Sequence, residues 1–386
     1  MSPVLALRAA LVRLGFAVGR RMPLRRRVVL ATSHADRLGG NLAWIGEELA
    51  RARPQARVTV LAWRPWGRRL ARLAAAIREV RAGFLLATSA LVVVDDFFFP
   101  MYAVRPRPGT RFVQVWHACG AFKKFGYSVA QKDFGAGEAR LDALPIHTNY
   151  DMCLISARRF VDAYAEAFRQ PRERFTSALG IPRTDLFFDD ARKAAAAAEV
   201  RRRYDLPAGR RVILYAPTFR GERTTRARNP DALDLRLLAG ELGRDHVLLF
   251  RAHPFVTSAA ATDPDLAGFV RDASGHPDIN ELMLVSDLLV TDYSSAMYEF
   301  ALLGRPIGFF APDHAAYEAE RGFYFDYVAG VPGPVFESSE ALAAWLRDGP
   351  FEPDRVRRFA ADSFDVADGG ATRRFVSEVV DPALRR

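Results

Sequence analysis

Cysteine, lysine and long apolar stretches are scarce in this sequence. Cys119 and Cys153 are the only two cysteines in 386 residues, so a disulfide framework and a zinc site with four thiolates are excluded. No run of 18 apolar residues occurs, so no segment is expected to span a bilayer. The glycine-rich patterns of P-loop NTPases and of dinucleotide-binding oxidoreductases are also missing, which argues against both classes of enzyme.

The remaining composition is that of a folded protein with more than one domain. Hydrophobic residues make up 50% of the chain and charged residues 26%, which is typical of globular rather than disordered proteins. A length of 386 residues exceeds what one hydrophobic core usually supports, and it favours two domains of roughly 150–200 residues each.

Positive charge is concentrated at the start of the chain. The formal net charge is +10, and seven arginines precede the first acidic residue, Asp36. Within residues 1–27 the arginines alternate with valine and leucine, which predicts a basic amphipathic helix on the anionic cytoplasmic surface of a membrane. The alternative is a helix that docks on its own domain. Because the rest of the chain is nearly balanced in charge, a nucleic-acid-binding protein is the weakest interpretation, and no nucleic acid partner is expected.

Short apolar runs alternate with helical stretches along the whole chain, which is the pattern of βα units on a parallel sheet. The first series of predicted strands is Arg27–Ala31, Arg57–Ala62, Ala90–Val94, Arg111–Val115, Met152–Ile155 and Phe175–Ala178. The second series is Arg211–Tyr215, His246–Phe250, Phe269–Asp272, Leu288–Thr291 and Pro306–Phe310. Helices are predicted at Asn41–Ala52, Arg68–Arg81, Asp189–Tyr204, Asp231–Leu242, Ile279–Val285, Ala296–Leu303 and Ser339–Leu346.

This organisation predicts an α/β protein with two Rossmann-like domains in tandem. We expect the basic segment at 1–27, a first domain at 28–188 and a second domain at 189–352. The final segment, 353–386, is expected to form one or two helices that cross back to the first domain.

Unusual polar residues follow four of the predicted strands, where ligands collect in open α/β sheets. The four tracts begin at Trp116-His117, Ala216-Pro217-Thr218, Arg251-Ala252-His253-Pro254 and Thr291-Asp292-Tyr293-Ser294-Ser295. In the last tract, Ser294 and Ser295 precede a predicted helix, whose N-terminus can bind a phosphate, and Glu299 one turn later can accept ribose hydroxyls. The alternative is an ordinary helix cap, because serine is a common capping residue.

Two histidines occupy these tracts. His117 shares its loop with Gly120, Lys123 and Lys124, which suits a base beside a phosphate. Arg251 and His253 are two residues apart, so in an extended strand end they point to the same side and predict a pyrophosphate clamp. The alternative in both cases is a structural histidine. Asp263-Pro264-Asp265 has no preceding strand, so a metal-binding Asp-x-Asp motif is not expected there.

At these strand ends the sequence resembles the CDP-glycerol glycerophosphotransferase family, the enzymes that prime and polymerise teichoic acids. The resemblance covers about residues 111–374. It also includes the tracts Gly180-Ile181-Pro182-Arg183-Thr184-Asp185, Ser286-Asp287, Arg305-Pro306 and Asp368-Gly369-Gly370-Ala371-Thr372-Arg373. It implies a GT-B fold, with two Rossmann-like domains that face each other across a cleft. The first would bind the acceptor and the second the CDP-linked donor.

The resemblance also implies roles for individual residues. His117 would be the general base, and His253 a second catalytic residue near the leaving CMP. Other residues would bind the donor: Ala118, Cys119, Gly120, Ala121, Lys124, Arg183, Arg251 and Ala252 near the phosphates, Pro217 and Thr218 at the cytidine, Ser294 and Ser295 at a phosphate, and Glu299 at the ribose. The loop after His117 is one residue longer than in better-known members, and Glu299 stands where Asp is common.

The expected reaction is transfer of glycerol phosphate from CDP-glycerol to a lipid-linked acceptor or a growing poly(glycerol phosphate) chain, with release of CMP. No cofactor is expected to be required, although Mg²⁺ can accompany the pyrophosphate. The alternatives are ribitol-phosphate transfer from CDP-ribitol and a GT-B glycosyltransferase that uses a nucleotide sugar. A lipid-linked acceptor predicts a peripheral protein on the cytoplasmic face of the bacterial membrane.

Overall fold

The chain folds into two compact α/β units. The computed structural model describes residues 3–33, 35–63, 71–132, 145–218, 220, 232–252 and 263–385. The first unit contains Met1–His117, Phe125–Asp185 and Phe364–Arg386, and the second contains Ala118–Lys124 and Leu186–Ser363.

The first unit is built on a six-stranded sheet in which all neighbouring strands are parallel. Its strands are β1 Arg25–Thr32, β2 Arg57–Ala62, β3 Ser89–Val94, β4 Arg111–Gln114, β5 Met152–Leu154 and β6 Phe175–Thr176. The strand order is β2-β1-β3-β4-β5-β6. The central strand β3 is buried along its whole length, as expected for a parallel sheet covered on both faces.

Helices of the first unit precede or connect these strands. They are α1 Pro3–Arg20, α2 Gly40–Ala52, α3 Ala71–Thr88, α4 Phe99–Tyr102 and α5 Val161–Phe168. Helix α1 packs directly on α3, as the alternative interpretation of the N-terminal segment predicted. A Cβ added at Gly15 would lie 1.9 Å from the carbonyl oxygen of Val80, and one at Gly83 would lie 2.0 Å from that of Val12. The two glycines therefore allow the two backbones to approach closely.

The second unit has its own six-stranded parallel sheet, with the order β12-β11-β10-β7-β8-β9. Its strands are β7 Arg211–Ala216, β8 His246–Phe250, β9 Val270–Asp272, β10 Leu288–Thr291, β11 Ile307–Phe310 and β12 Val335–Phe336. This is the order of a dinucleotide-binding sheet, in which the chain reverses direction across the sheet between β7 and β10. Ligands of such sheets bind beside this reversal, at the carboxyl ends of the strands.

The helices of the second unit precede, connect or follow these strands. They are α6 Asp190–Arg203, α7 Leu235–Leu242, α8 Ile279–Val285, α9 Ala296–Ala301, α10 His314–Arg321, α11 Tyr327–Gly330, α12 Ser339–Asp348 and α13 Pro353–Ser363. Short 3₁₀ helices lie at Gly126–Val129, Arg158–Phe160, Arg172–Arg174, Pro182–Phe188 and Pro264–Leu266. In the described part of the chain, no helix is both long and apolar enough to cross a membrane.

The C-terminal segment divides between the two units. Helix α13 belongs to the second unit, and the chain returns to the first unit from Phe364. There it forms α14 Ala371–Phe375, a π-helical turn Val376–Val380 and α15 Asp381–Arg385. Asp185 fixes the start of α14, because its carboxylate accepts hydrogen bonds from the backbone N–H groups of Ala371 (3.0 Å) and Thr372 (2.8 Å).

The predicted α/β class and both series of strands are confirmed, and the differences are local. The helix predicted to end at Arg81 continues to Thr88, because close packing on α1 offsets the helix-weakening effect of Gly83. Strand β6 ends at Thr176 rather than Ala178. Strand β12 was not predicted, because its two residues are too few to produce a periodic pattern.

Candidate active site

His117 lies at the carboxyl end of β4 with its side chain 46% exposed. Its Nδ1 is 3.2 Å from the carbonyl oxygen of Asp95 and 3.8 Å from Oδ1 of Asp96. Both aspartates follow β3, which is the parallel neighbour of β4. A carbonyl oxygen only accepts hydrogen bonds, so Nδ1 is the donor in the contact with Asp95. In the neutral ring with this hydrogen bond, Nε2 is the nitrogen that can accept a proton, as a general base requires.

The backbone before His117 is held in an unusual conformation. Trp116 has a φ of 51°, in the left-handed region that costs a non-glycine residue about 1–2 kcal/mol. Two buried amide side chains stabilise it. The Nδ2 group of Asn41 donates to the carbonyl oxygens of Val115 and Trp116, both at 2.8 Å. The Oε1 atom of Gln114 accepts a hydrogen bond of 2.9 Å from the backbone N–H of Trp116.

Arg183 is held against the same loop. Its backbone N–H donates to Oδ1 of Asn41 at 3.0 Å, and its Nη1 donates to the carbonyl oxygen of His117 at 2.5 Å. The structure therefore brings together Arg183 and His117, which are 66 residues apart in the sequence. The predicted contact of Arg183 with pyrophosphate stays a prediction.

A buried polar cluster lies behind the His117 loop. Tyr150 accepts a hydrogen bond of 2.9 Å from Nε2 of Gln114, and its hydroxyl is 2.9 Å from Nδ1 of His147. The His147 ring is stacked on Phe168, with their centroids 4.3 Å apart. Burial lowers the pKa of His147 to about 4, so this histidine is neutral at pH 7. The cluster therefore supports the loop without adding charge beside it.

The loop Ala118–Lys124 belongs to the second unit. Cys119 is only 1% exposed, and Gly120, with a φ of +64°, packs so closely that an added Cβ would lie 2.2 Å from the ring of Tyr298. Burial lowers the pKa of Lys123 to about 8, and the backbone N–H of Lys124 donates to the carbonyl oxygen of Gly322. Gly120 therefore packs directly on the Tyr298 ring. A role of Ala118, Cys119, Gly120, Ala121 and Lys124 at donor phosphates stays a prediction.

Thr218 and Asp292 meet at the point where the second sheet reverses. They follow β7 and β10, which are neighbours in the sheet. The Oδ1 atom of Asp292 accepts from the backbone N–H of Thr218 at 2.8 Å and also from its hydroxyl. Pro217, one residue earlier, is buried. Asp292 therefore fixes the position of the predicted cytidine-side residue Thr218.

Arg220 links this pair to a second carboxylate. Its Nη1 lies 2.9 Å from Oδ2 of Asp292, and its Nε lies 2.6 Å from Oδ2 of Asp313. Burial alone would lower the pKa of Arg220, but the two carboxylates outweigh burial and raise it. The guanidinium is therefore a permanent cation that holds the ends of β7 and β10 together.

The serine pair and Glu299 lie at the start of α9. The hydroxyl of Ser294 accepts from the backbone N–H of Ala296 at 3.2 Å, so this serine caps locally, as the alternative interpretation predicted. Ser295 makes no capping hydrogen bond through its side chain. Glu299 is only 1% exposed, and its predicted contact with a ribose stays a prediction.

The tract after β8 is described as far as Ala252. The Nη1 group of Arg251 donates to the carbonyl oxygen of His276 at 2.6 Å, and burial lowers the pKa of this guanidinium. The backbone N–H of Ala252 donates to Oγ of Ser274 at 2.9 Å. His253 lies outside the described residues, so its predicted pairing with Arg251 is not tested.

Sequence reasoning missed the residues that hold these tracts in place. Asn41 and Gln114 carry no motif, and only the tertiary structure places their amides beside Trp116. Arg220 closes the tract that begins at Ala216, but no role was predicted for it, because its partner Asp313 lies 93 residues away. Asp292 was visible in the Thr-Asp-Tyr-Ser-Ser tract, where a buried acid among hydroxyls is a usable signal.

No metal centre is formed by the side chains that the structure describes: they contain no group of three or more His, Cys, Asp or Glu residues arranged to bind an ion. This finding does not test a requirement for Mg²⁺, because Mg²⁺ is often bound mainly by substrate phosphates with few protein ligands.

Comparison with known proteins identifies the family. A family model described as CDP-glycerol:poly(glycerophosphate) glycerophosphotransferase matches residues 15–381. The teichoic acid ribitol-phosphate primase of Bacillus spizizenii is 35% identical over 350 residues, which cover 90% of this chain and 89% of the primase. The teichoic acid ribitol-phosphate polymerase TarK of Staphylococcus aureus is 34% identical over 361 residues, which cover 92% of this chain and 68% of that polymerase.

A solved structure shows the same fold. The wall teichoic acid polymerase TagF superposes with a TM-score of 0.81 and 21% sequence identity, over 98% of this chain and 94% of that chain. The match confirms the predicted GT-B class. Because the family model covers nearly the whole sequence, the chain belongs to the CDP-glycerol:poly(glycerophosphate) glycerophosphotransferase family and is a phosphate-transferring enzyme of the teichoic acid type.

Proposed function

We propose that the enzyme transfers glycerol phosphate from CDP-glycerol to a hydroxyl group of a lipid-linked acceptor or a growing poly(glycerol phosphate) chain. The observation that supports this proposal most directly is the position of His117. Its ring is half exposed at the carboxyl end of β4, and its Nδ1 is within hydrogen-bond distance of the carbonyl oxygen of Asp95. We propose that the other ring nitrogen, Nε2, accepts the proton from an incoming hydroxyl group.

In the proposed reaction, the acceptor hydroxyl oxygen attacks the β-phosphorus of CDP-glycerol. His117 Nε2 takes the hydroxyl proton, the bond between the β-phosphorus and the bridging oxygen breaks, and CMP leaves with the bond electrons. The product is a phosphodiester. A positioned base contributes about 10²–10⁴-fold to such a reaction. Orientation and charge stabilisation supply the rest of the rate enhancement.

The donor is proposed to bind at the strand ends of the second unit. Thr218, fixed by Asp292, lies beside the reversal of the sheet, where nucleotides bind in this type of fold. Ser295, without a capping bond through its side chain, is proposed to bind a phosphate with Ser294, and Glu299 to bind the ribose. Arg183, Arg251, His253 and the turn Ala118–Ala121 are proposed to neutralise or contact the pyrophosphate.

CDP-ribitol is the second candidate donor. The relatives that are 35% and 34% identical are named for ribitol phosphate, whereas a teichoic acid glycerol-phosphate primase of Bacillus spizizenii is 31% identical over 303 residues. Parallel assays with CDP-glycerol and CDP-ribitol, with a membrane extract as acceptor, decide between the two polyols. Released CMP supports phosphate transfer, and release of a nucleoside diphosphate from a nucleotide sugar would instead support a glycosyltransferase.

The proposed base is tested with His117→Ala. We expect loss of CMP release while calorimetric binding of CDP-glycerol and the melting temperature stay near those of the wild type, because the exposed imidazole contributes little to the core. Normal turnover by this variant would contradict the proposed role. A lipid-linked acceptor also implies that the enzyme acts as a peripheral protein at the cytoplasmic face of the membrane.

A further inference from the structure

A groove runs along the first unit between the end of α2 and the C-terminal helices. It consists of two cavities of about 500 Å³ and about 420 Å³. The first cavity lies against α2, α14 and the π-helical turn, and the second lies against α15 and the first residues of β1. Arg53 lines both cavities, so the two meet at its side chain. Every residue that lines them belongs to the first unit.

Positive charge dominates this groove. The two carboxylates that line it are Glu48 and Asp381. The six arginines that line it are Arg26, Arg51, Arg53, Arg373, Arg374 and Arg385. Such an excess of cations in a concave surface attracts an anionic ligand.

Both carboxylates of the groove are already engaged with arginine. Arg51 lies 2.7 Å from Glu48, and Arg53 lies 2.6 Å from Asp381. These ion pairs hold two of the guanidinium groups in place at the wall. They leave no carboxylate in the lining of the groove to balance the other arginines.

Three of the arginines carry uncompensated charge. Arg26, Arg373 and Arg385 are exposed, and among the described residues no carboxylate forms a salt bridge with any of them. Nη2 of Arg26 lies 3.5 Å from the carbonyl oxygen of Arg385, so these two residues are neighbours at the second cavity. Because like charges at close range repel each other, an anion bound in the groove would stabilise this end of the unit.

The other side chains of the groove are small or neutral. Gln55 and Ser377 contribute an amide and a hydroxyl group. The hydroxyl of Ser377 donates to the carbonyl oxygen of Arg374 at 3.1 Å, and its oxygen can still accept a hydrogen bond. Cations combined with neutral hydrogen-bonding groups suit a chain in which phosphates alternate with hydroxyl-bearing carbons.

One end of the groove reaches the segment that supports His117. Nε of Arg374 donates to the carbonyl oxygen of Leu179 at 3.1 Å. Further along the same segment, Arg183 donates to the carbonyl oxygen of His117, and Asp185 fixes the start of α14. The groove therefore begins beside the residues that hold the His117 loop.

We propose that this groove binds the phosphate groups of the growing polyol phosphate chain, behind the terminal hydroxyl group that reacts at His117. The assignment rests on the proposed function for the identity of the acceptor, and it names the surface that holds the chain. Arg26 lies at the amino end of β1, whereas His117 follows the carboxyl end of β4. In a parallel sheet these are opposite edges, so a chain in the groove extends away from the reacting end over several units.

Two other polyanions fit the groove less well. None of the large hydrophobic side chains that are exposed in the described part of the chain lines it, so a lipid would find no apolar surface for its acyl chains. The described residues of the lining also include no aromatic side chain, on which the bases of a single-stranded nucleic acid would stack.

The first experiment measures binding of the full-length protein to lipid-free, fluorescently labelled poly(glycerol phosphate) of about ten units by anisotropy. The groove variant combines Arg26→Gln, Arg373→Gln and Arg385→Gln. The matched control removes the same charge from exposed positions of the second unit and combines Arg201→Gln, Arg203→Gln and Arg244→Gln.

We expect the groove variant to bind this chain at least about tenfold more weakly than the wild type, and the control to bind within about twofold. The circular dichroism melting curves of both variants should match that of the wild type. Equal losses of binding in the two variants would indicate attraction to net charge alone and would overturn the proposal. Normal binding by the groove variant would overturn it as well.

The second experiment measures CMP release with acceptors of different length. In the groove variant the KM for the long chain should rise about tenfold, while kcat and the KM for the CDP-linked donor stay near those of the wild type. The KM for an acceptor analogue with a single polyol phosphate unit should not change, because one unit is too short to occupy the groove. An equal rise in KM for both acceptors would contradict the assignment.

A third measurement separates the sources of phosphate and the two proposals. If the groove variant loses binding to phosphatidylglycerol vesicles but binds the lipid-free chain normally, the groove binds lipid headgroups and the proposal is wrong. Groove-dependent binding of the chain, without CMP release from CDP-glycerol or CDP-ribitol by the wild type, would contradict the proposed function and leave the groove assignment intact. CMP release with an unchanged KM for the long chain in the groove variant would contradict the groove assignment alone.

Discussion

Replacement of Asn41 tests how the fold positions His117. Asn41 is 3% exposed and makes three hydrogen bonds: two donated to the carbonyl oxygens of Val115 and Trp116, and one accepted from the backbone N–H of Arg183. In Asn41→Ala these three backbone groups lose their partner. An unsatisfied buried polar group costs about 1–3 kcal/mol, and partial relaxation reduces the sum, so we expect a stability loss of about 2–4 kcal/mol.

The effect on turnover should be larger than that of an ordinary destabilising variant. Without Asn41, the strained left-handed backbone of Trp116 can relax, and the His117 imidazole then moves with it. Small displacements of a reacting group cost up to about 100-fold in rate, so we expect kcat to fall by about 10–100-fold. The KM for the donor should rise by a smaller factor, because Asn41 also holds the backbone N–H of Arg183, which is proposed to contact the pyrophosphate.

Two further variants make this prediction specific. Asn41→Asp keeps the acceptor for the Arg183 N–H but turns a second oxygen towards two carbonyl oxygens, so kcat should fall as far as in the alanine variant. Asn149→Ala is the matched control, because its Nδ2 donates to the carbonyl oxygens of Met101 and Val104. It should lose stability and keep its kcat. The reasoning is refuted if Asn41→Ala is destabilised to the same degree as the control and retains wild-type kcat at a temperature where both are folded.

Three other predictions concern stability and are measured by urea unfolding. Between pH 6.5 and about 4, the unfolded chain binds a proton at His147 that the folded chain does not. The free energy of unfolding should therefore fall as the pH falls, by up to about 3 kcal/mol. His147→Gln should show a smaller fall, and the same pH dependence in this variant as in the wild type would contradict the assignment of the effect to His147. In Gly120→Ala the added Cβ would lie 2.2 Å from the Tyr298 ring, so this variant should lose stability through a clash as well as through backbone strain. Gly209 has a φ of +79° and no atom within 4 Å of an added Cβ, so Gly209→Ala should cost only the left-handed strain of about 1–2 kcal/mol. Equal stability losses for the two variants would disprove the clash. Asp292→Asn leaves the largely buried Arg220 partly uncompensated and should cost about 3 kcal/mol. Asp313→Asn removes the more exposed partner of Arg220 and should cost less; the reverse order would count against this account.

The sequence determined the fold class and the residues at the strand ends. Periodic apolar runs located the strands of both series because buried parallel strands need nearly continuous β-branched and aliphatic residues. Histidine, arginine and serine after these runs were recognisable because ligands of such sheets bind beyond the carboxyl ends of the strands. His117 was therefore predictable as a candidate base without any coordinates.

The tertiary structure alone decided how those residues are held and which faces remain open. Asn41, Gln114 and Arg183 converge on the His117 loop from separate parts of the chain, and no local pattern encodes such long-range hydrogen bonds. The sequence also left open whether the N-terminal helix lies on a membrane or on its own domain. The glycines at positions 15 and 83 allowed docking on α3, and packing in three dimensions then fixed which apolar face of that helix was buried and which was left exposed to solvent.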